Sequence, residues 1–584
     1  MKTLHRSLFY FLVILLPFLA VGQQTVSTNA ALSTAISNAS AGTTIVLANG
    51  TWTNVQISIN KTGTALNPIV IKAQTPGSVF FEGNSYVKMG GAYIYFEGVV
   101  FRNPSNLNVD NSVITFKNSA NCDNCKLTNV KIDSYNGTSA QSTSTFKWVL
   151  VNGQNNEISY CSFIGKYGVG SIINDNRDAP SSGNPDPDYT KIHHNYFASR
   201  RPVGEINVLN DQDAIRIGNS ATSLFDSFTE VYENYFDDFS GEIEVISNKS
   251  CNNKYYNNTF RDYQGCLTLR HGNNCEVYGN FFIANNNNFS GGIRVMGENH
   301  KIYNNYIEGV NSKKADNSTS SGTGGINVSN GRVNSALNGY YQVKNTTIVN
   351  NTFVNCDYGL RIGTNIGGDL TLAPENIIVG NNLIANASIK AIQQSTAPTG
   401  TSLYQGNIRQ GGSWDISSTN GNTTVTSGLI ATTASDFYRI VSGSAAVNAG
   451  LGSYSFLTND IAGGVRPVLF DVGAEELGGN GTRKPYTSAD VGLKVGFGAT
   501  PILSVSKNNL ESKNLFVFPV PAKEDYITIT FQDKILGLVE IVDMQGRMLF
   551  QKVINTTAYK LDLSAFSKGT YLIKVQGVSK LFVK

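Results

Sequence analysis

Along most of the chain, apolar residues come in short alternating runs broken by Asn, Gly, Ser and Asp. A period of two puts successive side chains on opposite faces of an extended segment, so each run predicts a half-buried strand. One unit recurs: a few β-formers, often an Asn, an aromatic or aliphatic residue, then a turn. It reads YFEGVVF at 95–101, IHHNYF at 192–197, VYENYF at 231–236, YYNNTF at 255–260, VYGNFF at 277–282, IYNNYI at 302–307, IVNNTF at 348–353 and IVGNNLI at 378–384. Aligned on the Asn two places before the last apolar residue, the marks are 195, 234, 258, 280, 305, 351 and 382, with gaps of 39, 24, 22, 25, 46 and 31. A base period of 22 to 25 with insertions is a solenoid signature. Short β-rich repeats without helical periodicity predict an all-β, right-handed parallel β-helix with about three strands per coil. A leucine-rich repeat has a similar length but needs the periodic Leu that is lacking here. The Asn marks are expected at one corner, where Asn tolerates left-handed backbone and can hydrogen-bond along the stack. The long gaps, 195–234 and 305–351, are where function should concentrate, because loops on a rigid scaffold carry sites.

The ends depart from this pattern. The stretch 30–48 reads as a short amphipathic helix followed by a strand, a cap for the first apolar rung. The β-helix is expected to span 23–477 and to close near 460–476, followed by a Gly/Ser/Thr-containing linker at 478–512. Residues 513–584 change character. FVFPVPAKEDYITITF, GLVEIVDMQGRMLFQ and YKLDLSAFSKGTYLIKV alternate around turn dipeptides and predict a small β-sandwich.

Composition narrows the class. With 41% apolar and 15% charged residues and 57 glycines, the 584-residue chain is ordered and rich in turns and strands. A net charge of +3 is too small to imply nucleic acid, although a local basic cluster facing an acidic polymer fits. Lys2, His5 and Arg6 precede an apolar run from Leu8 to Val21 that ends at Gly22, the layout of a secretory signal peptide over 1–22. That run is short for a membrane anchor and contains Pro17, and no other stretch could span a bilayer. The mature protein is therefore expected to be exported, secreted or held at the cell surface. Of seven cysteines, Cys122 and Cys125 form a CxxC with no second metal-ligand pair, which leaves a local disulfide open; the rest read as buried thiols.

Candidate chemistry lies in 241–272, GEIEVISNKSCNNKYYNNTFRDYQGCLTLRHG. Alternation puts Glu242 and Glu244 on one strand face and Ile243 and Val245 on the other. Two carboxylates that close repel unless a cation lies between them, and hard oxygen ligands suit calcium. Lys249 follows, then Arg270 and His271 after about one period, and Arg294 after another.

ExExxSNKS followed by LTLRHG resembles the active-site signature of polysaccharide lyase family 6, the alginate lyases and chondroitinase B relatives, and the resemblance covers about 25–475. It implies β-elimination at a uronate, with Lys249 as the base that takes the C5 proton and Arg270 at the leaving O4. It implies Ca2+ held by Glu242, Glu244 and an Asn. Asn210, in NDQDAIRIG, fits a pattern whose glutamate is here replaced by Asp213, and Asn219 is a rival ligand. His271 is expected to orient the substrate or Arg270, and Arg294 and Arg216 to bind uronate carboxylates by planar forks. A row formed by Arg201, Arg216, Arg270 and Arg294 would favour alginate, with a carboxylate on every sugar, over dermatan sulfate. His193, His194 and His300 lack such company and are expected to be structural. The tail, with Pro519-Val-Pro521, the DxxGR turn at 543–547 and the strand at 569–575, resembles the C-terminal sorting domain of type IX secretion cargo in Bacteroidota, which implies that secretion machinery as a partner. A β-helix that only binds polysaccharide, as an adhesin would, is the competing class. A polygalacturonase-like hydrolase would need facing aspartates, whereas Asp237 and Asp238 are adjacent.

Overall fold

A computed structural model of the chain describes residues 23–177, 185–432 and 437–493, and in the C-terminal segment 515–518, 520, 522, 525–543, 548–575 and 578–584. Residues 1–22, expected as a signal peptide, and Pro519, Pro521 and 544–547 of the tail motifs lie outside them. The chain divides into two compact units, 1–500 and 501–584.

The first unit is a parallel β-helix. Sheet 1 has 14 strands, from Gln23–Val26 to Leu403–Gln405. Sheet 2 has 14, from Gly50–Thr53 to Thr423–Val425, and sheet 3 has 13, from Gln56–Thr62 to Lys390–Gln394. Each coil visits them in that order, and inward side chains stack on their counterparts one coil away. Phe197, Phe236, Phe260 and Phe282 lie face to face with ring centroids 4.5–4.7 Å apart. The helix Asn29–Asn38 caps the first coil, burying Leu32, Ala35 and Ile36, and its N-cap Thr28 accepts a hydrogen bond from Ala31 N. Cys122 and Cys125 are joined by a disulfide, and the other five cysteines are free and buried.

The Asn marks form a buried ladder at the two-residue turn between sheets 1 and 2. The backbone N and Nδ2 of Asn195 both donate to Asn234 Oδ1 at 3.0 Å, and the pattern repeats through Asn258, Asn280, Asn305, Asn351, Asn382 and Asn407 to Asn422. The left-handed residue of this turn is the one before each mark: His194, Glu233, Asn257, Gly279, Asn304, Asn350 and Asn381 all have φ between 51 and 67°. The ladder Asn is thus kept for its amide, which fills two hydrogen-bonding needs per coil in an interior closed to water.

Parallel pairing ends at Thr423–Val425, earlier than the sequence suggests. Residues 426–432 and 437–493 then run back along the outside of sheet 2. Phe437 packs edge-on to Phe281 and Tyr306, and Ile461 and Ala474 complete that cluster. The segment 478–493, expected as linker, continues this strap. Tyr486 N donates to Thr259 Oγ1 at 2.8 Å, Gly492 N to His194 O at 2.9 Å and Leu493 N to Ser162 Oγ at 3.0 Å. No repeat unit marks the strap because it adds no coil; it covers apolar side chains that sheet 2 turns outward.

The second unit has the expected strands in one antiparallel sheet, Leu515–Phe518, Tyr526–Asp543, Met548–Asp562, Thr570–Val575 and Val578–Val583. Its own core includes Ile527, Ile529, Val539, Ile541, Ile573 and Phe582.

Candidate active site

The outward face of sheet 3 carries most of the candidate residues. Strands Ile215–Gly218, Glu244–Lys249, Gly265–His271, Ser290–Val295 and Ile326–Ser329 lie side by side. Ile215, Ile246, Leu267, Ile293 and Ile326 point into the core, so Arg216, Ser247, Thr268, Arg294 and Asn327 form an outward column in direct register. Two residues further along, Lys249 is in register with His271. The register slips between Asn248 and Lys249, leaving Arg270 as the extra residue of a bulge. A bulge re-aims a side chain, and this one turns Arg270 towards the site beside Lys249. Gly272 closes the strand at φ +87°, where a Cβ would come within 2.2 Å of Ser250 O, so the turn after Arg270 and His271 requires glycine.

Glu242 and Glu244 are both buried. Glu242 Oε1 accepts from Gln212 N at 2.8 Å. Glu244 Oε2 accepts from Ser247 Oγ at 2.5 Å, while Oε1 lies 3.3 Å from Arg294 Nη1 and 3.7 Å from Arg270 Nε. Burial, then the charges of Asp213 and Glu244, push the Glu242 carboxyl up to about 8. Asp213 is itself buried, and its Oδ1 has no hydrogen-bond partner.

This donor set fits a hard cation: buried carboxylates in mutual repulsion and an unpartnered carboxylate oxygen. Among the described residues no group of three or more His, Cys, Asp and Glu side chains is arranged to hold a metal, so a cation here rests on the pair Glu242 and Glu244 with an amide. Asn210 is exposed, two residues before the Gln212 N that binds Glu242. Its rival Asn219 is committed elsewhere, with Nδ2 donating to Arg177 O at 2.6 Å and Oδ1 accepting from Thr222 N at 3.1 Å.

Lys249 is half-buried, and among the described residues its amine has no hydrogen-bond or carboxylate partner. His271 is almost fully buried, with Nδ1 unpartnered. Burial, then Arg270, Lys249 and Arg294, hold its imidazole down to about 3, so it is neutral at neutral pH.

The expected row of arginine forks is not free. Arg201 pairs with Asp238 at 2.5 Å. Arg216 binds Asp213 through Nε and Nη2 at 2.9 and 2.7 Å and Asp211 through Nη1 at 2.6 Å, which holds its proton still more firmly although burial opposes this. Arg294 is only 3% exposed. Burial lowers the Arg270 pKa, partly offset by Glu244.

The 305–351 insertion, expected to carry function, brings its segment 331–342 onto the site, although no residue in it stood out in the sequence. Arg270 Nη2 donates to Asn338 O at 3.2 Å and Nη1 donates to Gly339 O. The Arg270 guanidinium carbon lies 4.3 Å from the centroid of the Tyr340 ring. The available signal was the doublet Tyr340-Tyr341 in an otherwise polar loop.

The sequence model of the family described as chondroitinase B matches residues 26–442. That of the secretion system C-terminal sorting domain matches 516–584. Among solved structures, the PL6 family alginate lyase AlyGC aligns at TM-score 0.66 and 29% identity, over 81% of this chain and 58% of that one. This chain therefore spans little more than half the length of AlyGC. A mannuronic acid specific polysaccharide family 6 lyase from human gut microbiota aligns at TM-score 0.57 and 26% identity, over 69% and 91% of the two chains. A PL6 family polysaccharide lyase from Pseudopedobacter saltans aligns at TM-score 0.59 and 24% identity, over 82% and 100%. No curated protein matches the chain.

Proposed function

The chain belongs to the chondroitinase B family, and from that premise we propose that it is an exported lyase that cleaves alginate by calcium-assisted β-elimination. The observation that carries the reading is Lys249: an amine with no anionic partner among the described residues, in register with His271 and next to the bulged Arg270. An amine that no carboxylate occupies is left available to reach the C5 hydrogen of a bound uronate, and a base has to stand within that reach. The C5 hydrogen of a uronate is very weakly acidic because the neighbouring carboxylate is already negative. A calcium ion held by Glu242, Glu244 and Asn210 would neutralise that carboxylate. Lys249 takes the C5 proton, the C4–O4 bond breaks, and Arg270 stabilises the charge that develops at O4. Neutral His271 orients the groups around it, and Arg294 holds Glu244 in place.

Alginate is favoured over dermatan sulfate by two structural neighbours above 25% identity, an alginate lyase and a mannuronic acid specific lyase. The sorting domain implies export, and we assign the route to type IX machinery, with the protein released or kept at the cell surface. Among the described residues no helix is long and apolar enough to cross a membrane. The test is the ultraviolet absorbance of the 4,5-unsaturated uronate after mixing the purified protein with alginate, dermatan sulfate and pectate separately. It should appear fastest with alginate, vanish on chelation and return with calcium. A clear preference for dermatan sulfate would overturn the substrate, and full activity after exhaustive chelation would overturn the metal.

A further inference from the structure

Elimination leaves one proton unaccounted for. The departing O4 must acquire a proton, and an arginine gives one up only at extreme pH. Arg270 is also poorly placed to do so, because one N–H of each of its two Nη groups is held by a loop carbonyl, Gly339 O and Asn338 O, while Nε faces Glu244. The group those contacts hold against Arg270 is Tyr340. Its ring is half-buried at the edge of the site, 4.3 Å from the Arg270 guanidinium carbon, 5.7 Å from that of Arg332 and 6.0 Å from that of Arg294. Its hydroxyl has no hydrogen-bond partner among the described residues. The segment is anchored behind it: Arg332 binds Asp369 through Nε and Nη2 at 2.9 and 3.0 Å, Arg332 N donates to Tyr340 O at 2.8 Å, and Gly331 bridges to Leu372.

We propose that Tyr340 is the proton donor to the leaving oxygen, with Arg270 the fixed cation beside it. The inference rests on the lyase reading above. Lys249 takes the C5 proton, the C5–H electron pair becomes the C4=C5 π bond, the C4–O4 pair leaves on oxygen, and O4 takes the phenolic proton. The ring that then carries the negative charge has three guanidinium carbons within 6.0 Å of its centroid, and cation–π contact already holds it against Arg270. Water returns its proton before the next turnover while the Lys249 ammonium loses its own to solvent, so charge and atoms balance over the cycle.

Tyr340→Phe tests this, because it keeps the ring and its packing on Arg270 and removes only the hydroxyl. On alginate its kcat should fall by about 10²- to 10⁴-fold, the usual worth of a general acid, with KM within a few-fold and an unchanged melting temperature. On a uronate whose O4 carries a nitrophenyl group, which departs without a proton, the same variant should run within a few-fold of wild type while Lys249→Ala stays inactive. Near-wild-type turnover of alginate by Tyr340→Phe overturns the proposal. An equal loss on both substrates also overturns it, since the hydroxyl would then serve something other than the leaving group. If wild type forms no unsaturated product from any uronate polymer, the lyase reading itself fails, a result separable from both.

Discussion

Lys249 and Arg270 are held in different ways, and removing them should have different consequences. The Lys249 amine contacts no carboxylate among the described residues, so Lys249→Ala should cut turnover by about 10²- to 10⁴-fold, the usual worth of a base, and leave the melting temperature unchanged. Arg270 ties down the carbonyls of Asn338 and Gly339, the Tyr340 ring and the Glu244 carboxylate. Arg270→Ala should therefore abolish turnover and also cost about 1–3 kcal/mol of stability, as expected when a hydrogen-bonded charge is truncated and its partners remain. Activity assays beside thermal melts separate the two cases. An Arg270→Ala protein that melts with wild type would mean that the 331–342 segment does not lean on it. At this scale Glu242, Glu244, Lys249, Arg270 and His271 stand out as candidates in the sequence because they fall in two short motifs about one coil apart. Two things do not. A one-residue bulge leaves no mark in an apolar pattern, so Arg270 seemed to follow Lys249 by simple periodicity. The commitments of Arg201 and Arg294 depend on carboxylates brought from other coils, while Arg216 is held by Asp211 and Asp213 of its own segment, a pairing that strand alternation does not announce.

At the scale of strands and turns, the corner ladder could be read from the sequence because every coil needs an amide at the same place, and only the left-handed position was displaced by one residue. A carboxyl carried inward by the strand Ile173–Asp175 could not be read. Asp175 accepts from Thr229 Oγ1 at 3.0 Å, and Ser227 Oγ donates to the neighbouring Asp188 at 2.7 Å, while Arg177 pairs with Asp188 at 2.9 Å. Burial, then the Asp188 charge, pushes Asp175 well above the usual carboxylate range, and burial pushes Asp188 up to about 6 despite Arg177. A carboxyl raised in the fold is neutral there but ionised in the unfolded chain above about pH 4. Between that pH and the folded values the native state binds more protons, so stability falls as pH rises and is fully present only below the unfolded value. Asp175→Asn keeps an acceptor for Thr229 without a charge to bury. It should raise the melting temperature at pH 8 relative to wild type, and the gain should shrink towards zero near pH 4. A gain that is the same at both pH values would show that Asp175 does not carry a buried proton.

At the scale of the whole molecule, the two units have separate apolar cores, and the strap 426–493 belongs to the first. The change in pattern after 512 marks the two-unit division in the sequence, whereas the strap, which has no period of its own, is there divided between the end of the β-helix, up to 477, and the linker that follows. Its energetic place is set by what it covers. Phe281, Ile283, Tyr306 and Val354 are at most 2% exposed beneath Phe437, Ile461 and Ala474, and Leu383, Ala385 and Ile408 are buried with Leu429, Ala446 and Val472. Returning these side chains to water costs about 1.5–3 kcal/mol for each large one, a sum comparable with the whole stability of an ordinary domain. A chain ending at 500 should therefore fold, melt with the first unit of the full-length protein and retain its lyase rate, while losing the export that the sorting domain directs. A chain ending at 425 keeps every parallel coil and all of Glu242, Glu244, Lys249, Arg270 and Tyr340, yet should aggregate or melt far lower. Melting curves and initial rates on the two truncations decide this: a stable, active 23–425 protein would reduce the strap to an ornament, and an inactive 23–500 protein would make the sorting domain part of the enzyme.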